Sequence, residues 1–324
     1  MKLLSIIVAA FNVEKYLDRA LTSCYLPNNS NYEVIIVNDG SKDSTEEIAR
    51  RYININPDIF KIVNKSNGGY GSAVNEGIQK AQGKYIKLMD GDDWYNKIEL
   101  EKFLKVLAEY DADMILTDYT TINEITEEKV ASTEIDINPY QNFSIEELIN
   151  TEDVLLMHRI CYKREIFMTN QIKLTEHCFY TDTEYVIYPM VYVQKVLYAP
   201  LDVYQYRIGN SEQSMSREGI RKHIDDLWVV YNNINNYIDC TCKDSEMISP
   251  VIEWRVAMFY KFYIRQLMLI ADKNGKMKLI EVLRDISNRF PKRYELAKNR
   301  KIVFMKNTRC TFYKLVSYLV ERGL

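Results

Sequence analysis

The stretch KYIKLMDGDDW, Lys84 to Trp94, runs from an apolar segment of strand length straight into three carboxylates, Asp90, Asp92 and Asp93. Like charges this close repel one another, so the cluster needs a physical reason. An Asp-rich solvated turn is one, and an acidic cap for a helix starting at Ile98 is another. A calcium loop of the EF-hand type fails. Its fifth and sixth positions would fall on Trp94 and Tyr95, where an oxygen ligand and a glycine are needed. The functional alternative is an Asp-x-Asp site at the carboxyl end of a strand. Two carboxylates there hold Mg²⁺ or Mn²⁺, and the cation bridges a ligand's diphosphate.

The residues on either side supply the sheet that such a site requires. Leu3–Ala10, Tyr32–Val37, Phe60–Val63, Tyr85–Met89 and Met114–Thr117 are apolar runs of strand length. Between them, Glu14–Cys24, the segment from Asp43 to about Tyr52, Ser72–Ala81 and Ile98–Tyr110 show helical spacing. The second of these opens with acidic residues, as a helix N-terminus favours. Strands alternating with helices predict an α/β fold with a mostly parallel sheet and helices on both faces. Ligands of such sheets bind beyond the carboxyl ends of the strands. The loops at those ends are polar: Phe11-Asn12, Asn38–Ser44, Asn64–Ser72 and Asp90–Trp94. Seven of the eleven glycines lie between Gly40 and Gly91, so tight backbone is concentrated here.

Further along, Thr120–Asn142 is polar and reads as an insertion or a short hairpin. Phe179–Gln194 reads as a helix with Asp182 and Glu184 near its start, and Val196–Ile208 as extended chain. Ile220–Tyr237, Pro250–Ala271 and Met277–Phe290 read as helices. We therefore expect a catalytic domain over residues 1–211 and a helical region over 212–324.

Composition narrows the function. The chain has 324 residues, 47% of them hydrophobic, enough for one large domain and a smaller one. A net charge of −3 gives no global field for nucleic acid. The six cysteines form no CxxC pair and read as reduced thiols of a cytosolic protein. Three histidines make a His-rich metal site improbable, which leaves carboxylates as ligands. The opening MKLLSIIVAAFNVEKYL reads as a buried strand and not as a signal peptide, since its apolar run is short and polar residues follow at once. No segment approaches the ~20 apolar residues of a membrane-spanning helix. The Gly-rich NGGYGSAVNEG does not follow the first strand as a dinucleotide fingerprint must, and there is no G-x-x-x-x-G-K-[ST] loop. A nicotinamide dehydrogenase and a P-loop NTPase are thereby disfavoured.

In order and spacing these segments resemble the inverting family-2 glycosyltransferases, which have the GT-A nucleotide-sugar-binding fold. SIIVAAFNVEKYL looks like the family's opening strand and loop. VIIVNDGSKDST looks like its V-N-D-G-S-x-D-x-[ST] block, and NGGYGSAVNEGI is similar to N-x-G-x-x-x-A-R-N-x-G-I. YIKLMDGDDW looks like the strand that ends in D-x-D-D, and TDTEY with YRIGNSEQS extends the likeness to about residue 215. The resemblance implies that Ala10, Phe11 and Glu14 line a nucleotide pocket and that Asp39 contacts the base. Gly69 and Asn75 would lie beside the base and diphosphate, and Asp90, with Gly91, beside the ribose or sugar. Asp92 would be the leading metal ligand, with Asp90 as a second, and Asp93 would cap or brace the turn before Trp94. Asp182 would be the general base, with Glu184 as the alternative. Arg207 and the loop holding Ser211 and Ser214 would close over the diphosphate. Two departures stand out: Val74 replaces the family's Arg, and Thr181 replaces the Glu before the catalytic Asp.

The implied function is transfer of a sugar from a nucleotide diphosphate donor, UDP first, with Mn²⁺ or Mg²⁺. The acceptor would be a hydroxyl of a cell-surface polysaccharide or a lipid-linked glycan precursor. A sugar-nucleotide pyrophosphorylase is the rival enzyme, but Ala9-Ala10-Phe11-Asn12 stands where its Gly-rich basic loop should be. A non-catalytic binder of the same fold is the other rival. Residues 289–324 hold ten Lys or Arg and two Glu. The helical pattern there, with Phe312, Leu315, Val316 and Leu319 on one face, suits either packing on the protein or contact with anionic lipid. The expected location is the cytoplasm, at the inner face of the membrane if that contact forms. Tyr-rich helices over 226–264 suggest apolar surface for a homo-oligomer.

Overall fold

The computed structural model describes residues 2–150, 155–209, 217–243 and 248–322. The chain divides into two compact units, Met1–Gly209 and Asn210–Leu324. In the first unit the strands are β1 Leu4–Ala10, β2 Tyr32–Asn38, β3 Phe60–Asn64, β4 Tyr85–Asp90 and β5 Trp94–Tyr95. They continue with β6 Met114–Asn123, β7 Lys129–Ser132, β8 Asn142–Ser144, β9 Ile160–Lys163 and β10 Lys195–Ile208. The helices of this unit are α1 Leu17–Cys24, α2 Thr45–Ile55, α3 Tyr70–Lys80, α4 Lys97–Glu109, α5 Arg164–Thr169 and α6 Asp182–Met190.

All the strands join one sheet of order β3-β2-β1-β4-β9-β6-β10-β5, with β7 on β6 and β8 on β10. The long pairings, β1 with β2 and β4, β2 with β3, and β6 with β10, are parallel. The short ones made by β5, β7, β8 and β9 are antiparallel. β1 is central because both of its faces are apolar. Leu4, Ile6, Val8 and Ala10 join the core under α1, α2 and α4. Ile7, on the other face, meets α3 so closely that a Cβ at Gly77 would lie 2.4 Å from its Cγ2. Each such buried aliphatic contributes roughly 1.5–3 kcal/mol.

The expected α/β fold with helices on both faces is therefore present, with local differences. The first helix starts at Leu17 and not at Glu14, because Val13–Tyr16 forms a turn closed by Tyr16 and Leu17 amides on the Val13 carbonyl. The helix near 180 is shorter than predicted, since Tyr180 has φ +64° and interrupts the backbone just before it. The polar stretch 120–142 supplies the end of β6, all of β7 and the first residue of β8. β5, β8 and β9 went unforeseen. At two to four residues they are too short to show a period.

The second unit is helical: α7 Arg217–Lys222, α8 Ile224–Thr241, α9 Pro250–Ile270, α10 Lys273–Arg289, α11 Pro291–Ala297, α12 Arg300–Asn307 and α13 Tyr313–Glu321. The helix predicted over 220–237 is split at His223. Tyr231, Tyr260 and Tyr263 are fully buried inside this bundle, while Val229 of α8 is exposed. In α13 the buried residues are Tyr313, Val316, Ser317 and Val320, which turns Phe312 and Leu315 outward, against the predicted face. No disulfide joins any two of the six cysteines. Among the described residues no helix is long and apolar enough to cross a membrane.

One core residue breaks the apolar pattern. Lys87, in the middle of β4, is wholly buried and donates to the His158 carbonyl at 2.8 Å and to Thr117 Oγ1 at 3.3 Å. Burial, with the neighbouring Arg159 charge, pushes its pKa down to about 7. Unfolded lysine titrates near 10.4, so between pH 7 and 10 the unfolded chain holds more protons. Folding is therefore favoured as pH rises through this window, by up to about 1.4 kcal/mol per unit. We expect the stability of the wild type relative to Lys87→Met to climb over that range in urea unfolding at constant ionic strength. Parallel profiles would refute the assignment.

Candidate active site

The strand order reverses about β1, which has β2 on one side and β4 on the other. Ligands are expected at that switch point, beyond the strand ends. A cavity of about 530 Å³ opens there. Ala9, Ala10 and Phe11 line it from the end of β1, Asp39 from β2, and Asp90, Gly91 and Asp92 from β4. Gly69 and Tyr70 line it from the start of α3, and His177, Cys178 and Phe179 from the segment before α6.

Asp39 is only 2% exposed and organises the Gly-rich loop. Its Oδ1 accepts from Lys65 Nζ at 2.8 Å and from Gly68 N at 2.9 Å, and its Oδ2 accepts from Gly69 N at 2.8 Å. Gly69 has φ +82°, a conformation that favours glycine, and it caps α3.

The three carboxylates of the 84–94 stretch are not equivalent. Their ligand oxygens lie within 4.8 Å of one another. Asp93 is buried and engaged at both oxygens. Arg207 N donates to Oδ1 at 2.7 Å and Tyr204 OH to Oδ2 at 2.6 Å. It braces the turn, as expected of it, while the cap of α4 is Asn96, whose Oδ1 accepts from the amides of Ile98 and Glu99. Asp90 faces the cavity and bonds the Tyr70 hydroxyl, yet its Oδ1 is enclosed without a hydrogen-bond partner. Burial, then the charges of Asp92 and Asp182, hold its carboxyl well above the usual range. Burial with Asp92 and Asp90 does the same to Asp93. An orphaned oxygen beside a crowded carboxylate is what a divalent cation would complete, so Asp90 and Asp92 fit a metal and Asp93 does not.

Asp182 is half-buried in the first turn of α6, close enough for its charge to act on Asp90 and Tyr70. Glu184, one turn position on, is wholly buried. Its two oxygens accept from Thr175 N and Thr175 Oγ1, both at 2.7 Å. Asn75 performs a similar service. Its side chain donates to the Leu174 carbonyl at 2.9 Å and accepts from Leu174 N at 2.8 Å. Asn75 holds the 174–180 segment, and with it His177, Cys178 and Phe179, against α3, and Glu184 ties the same segment to α6. A Cβ at Gly71 would lie 2.1 Å from the Thr175 carbonyl oxygen, so only glycine permits that approach.

Not every expected site residue lines this cavity. Asn75, Asp182 and Glu184 do not, although Asn75 lines a neighbouring one with Gly68 and His177. Glu14 is exposed and accepts from Ser44 N at 2.9 Å, which ties two loops together. Arg207 stacks near Tyr16 and Trp94 and donates through Nε to the Asp92 carbonyl at 2.7 Å. It shapes the acidic turn from behind. Ser211 and Ser214 lie outside the described residues. Tyr70, His177, Cys178 and Phe179 were missed. An aromatic at the start of a helix after paired glycines was a usable signal for Tyr70. The 177–179 segment carries none.

The glycosyl transferase family 2 model matches residues 5–169, and the chain belongs to that family. Over 223 residues it is 29% identical to the glycosyltransferase GlyA of Streptococcus pneumoniae serotype 4, covering 65% of this chain and 31% of that protein. Over 122 residues it is 34% identical to EpsH of Bacillus subtilis strain 168, covering 38% of this chain and 35% of EpsH. The chain therefore spans about a third of the length of these curated relatives. Its fold is the expected GT-A fold. It matches the crystal structure of S. aureus TarS 1-349 in complex with UDP-GlcNAc at a TM-score of 0.73 and 19% identity, covering 100% of this chain and 92% of that one. The mannosyltransferase PcManGT of Pyrobaculum calidifontis, in complex with GDP-Man and Mn²⁺, matches at 0.53 and 12% identity, covering 98% and 86%.

Proposed function

We propose that this protein is a metal-dependent inverting glycosyltransferase. It moves one sugar from a nucleoside diphosphate donor, UDP first, to a hydroxyl of a cell-surface polysaccharide or lipid-linked glycan precursor. The observation that carries the reading is the cavity at the switch point, which Asp39, Asp90 and Asp92 line while Asp182 stands close enough for its charge to act on Asp90. Family membership and the UDP-GlcNAc complex of the TarS fold support the donor class.

In this mechanism Asp182 accepts the proton of the acceptor hydroxyl as its oxygen attacks the anomeric carbon. The bond from that carbon to the diphosphate breaks on the opposite side, which inverts the centre. The sugar passes through an oxocarbenium-like transition state, and a positioned base contributes roughly 10²–10⁴-fold. Asp90 and Asp92 would hold Mn²⁺ or Mg²⁺, which when bound supplies Lewis-acid stabilisation of the departing diphosphate. Arg207 and Tyr204, acting through Asp93, fix the turn that presents both ligands.

The test is nucleotide release from a panel of UDP- and GDP-sugars, with and without Mn²⁺, Mg²⁺ and EDTA. We expect release from at least one UDP-sugar that EDTA abolishes. A protein that binds UDP-sugars but releases no nucleotide, with or without glycan acceptors, is a binder and the catalytic reading fails. Release that survives EDTA removes the metal.

A further inference from the structure

The last two helices carry a surface that catalysis leaves unused. Phe312, Leu315 and Tyr318 project from α13 on the side away from its buried residues, at 48%, 55% and 48% exposure. Phe304 of α12 extends the stripe, its ring centroid 5.6 Å from that of Phe312. Three aromatics and a leucine, each about half in water, form one apolar strip on the bundle's exterior. Bulky side chains at that density are uncommon on a free surface and mark a contact.

The surroundings of the strip say what it contacts. Residues 289–324 contain ten Lys or Arg against two Glu, within a chain whose net charge is −3. Lys314 and Arg322 are exposed on the same helix as the strip, and the Arg322 guanidinium lies 4.3 Å over the Tyr318 ring. A second copy of this chain would bring two cationic faces together, so like charges oppose self-association here. A soluble polyanion would satisfy the cations and leave the aromatics and Leu315 in water. An anionic bilayer satisfies both: phosphates meet the Lys and Arg, and the apolar side chains enter the headgroup boundary. No described helix is able to cross a membrane, so the contact is peripheral.

We propose that the face formed by α12 and α13 docks on an anionic phospholipid surface. The inference stands on the helical unit alone and is independent of the catalytic reading, although it would bring the enzyme to a lipid-linked acceptor.

Flotation of the full-length protein with phosphatidylglycerol-containing vesicles and with pure phosphatidylcholine vesicles tests it. Binding to the first, little to the second, and loss at high salt are expected. The double variant K314E/R322E should weaken partitioning by about 25-fold, at roughly fivefold per basic residue. The double variant Phe312→Ser with Leu315→Ser should weaken it as well, since the apolar strip supplies the rest. Circular dichroism and nucleotide release serve as folding checks on both variants. Equal binding to neutral and anionic vesicles overturns the proposal, and so does no binding to either. Binding that the serine variant leaves unchanged also overturns it, because a polyanion site would behave that way. So does a concentration-dependent dimer, seen by sedimentation, that the serine variant abolishes while vesicle binding is absent.

Discussion

Asp182→Asn is expected to lower kcat for sugar transfer by about 10²–10⁴-fold, the usual worth of a positioned base. The KM for the donor should change little, because Asp182 is not part of the cavity lining. Glu184→Gln should behave differently, although both carboxylates lie in the first turn of the same helix. Glu184 is sealed inside the unit, where both of its oxygens serve Thr175. Glutamine can keep one of those acceptors but must turn its amide towards the other donor. An unsatisfied buried donor costs about 1–3 kcal/mol. The Glu184 variant should therefore unfold at lower urea and let the 174–180 segment shift, with a raised donor KM. Steady-state kinetics and urea unfolding on both variants separate the two roles. Asp182→Asn with near wild-type transfer, beside a stable but inactive Glu184→Gln, would reverse the assignment.

This pair shows where sequence reading stops. The α/β layout was legible because β1, β2 and β4 are buried on both faces and read as continuous apolar runs between helices. Asp39 and Asp90, which follow or end such runs, and Asp92 just beyond were legible as strand-end carboxylates, while Ala10 and Phe11 came from the family resemblance. Residues whose job depends on a distant partner were not. Asn75 and Glu184 stand as site residues by the family resemblance, and only the return of the 174–180 segment onto α3 and α6 shows what they hold. Arg207 reaches the acidic turn from 115 residues away along the chain, a pairing that no local pattern encodes. On α13 the helix was foreseen and its buried side was not. Both sides of that helix carry bulky apolar residues, so periodicity alone does not decide which one packs.

The three carboxylates of the acidic turn should separate in the same way. Asp90→Asn and Asp92→Asn are expected to lower metal-stimulated transfer by roughly 10²–10³-fold, the scale of losing one electrostatic stabiliser. They should also weaken Mn²⁺ uptake in the presence of UDP, read directly from the electron paramagnetic resonance signal of free Mn²⁺. Asp93→Asn should keep Mn²⁺ uptake within a few-fold. Its oxygens are committed to Arg207 N and Tyr204 OH, and its cost falls on stability instead, about 1–3 kcal/mol for one mismatched donor. Weakened uptake in Asp93→Asn alone, with Asp90→Asn and Asp92→Asn unaffected, would contradict the ligand assignment. The physical logic of the crowding lies in this division. The Arg207 amide and the Tyr204 hydroxyl each engage one oxygen of Asp93 and brace the turn. The other two line the cavity, where burial and mutual repulsion raise the Asp90 carboxyl. On the proposed reading, a cation bound by Asp90 and Asp92 would relieve that repulsion.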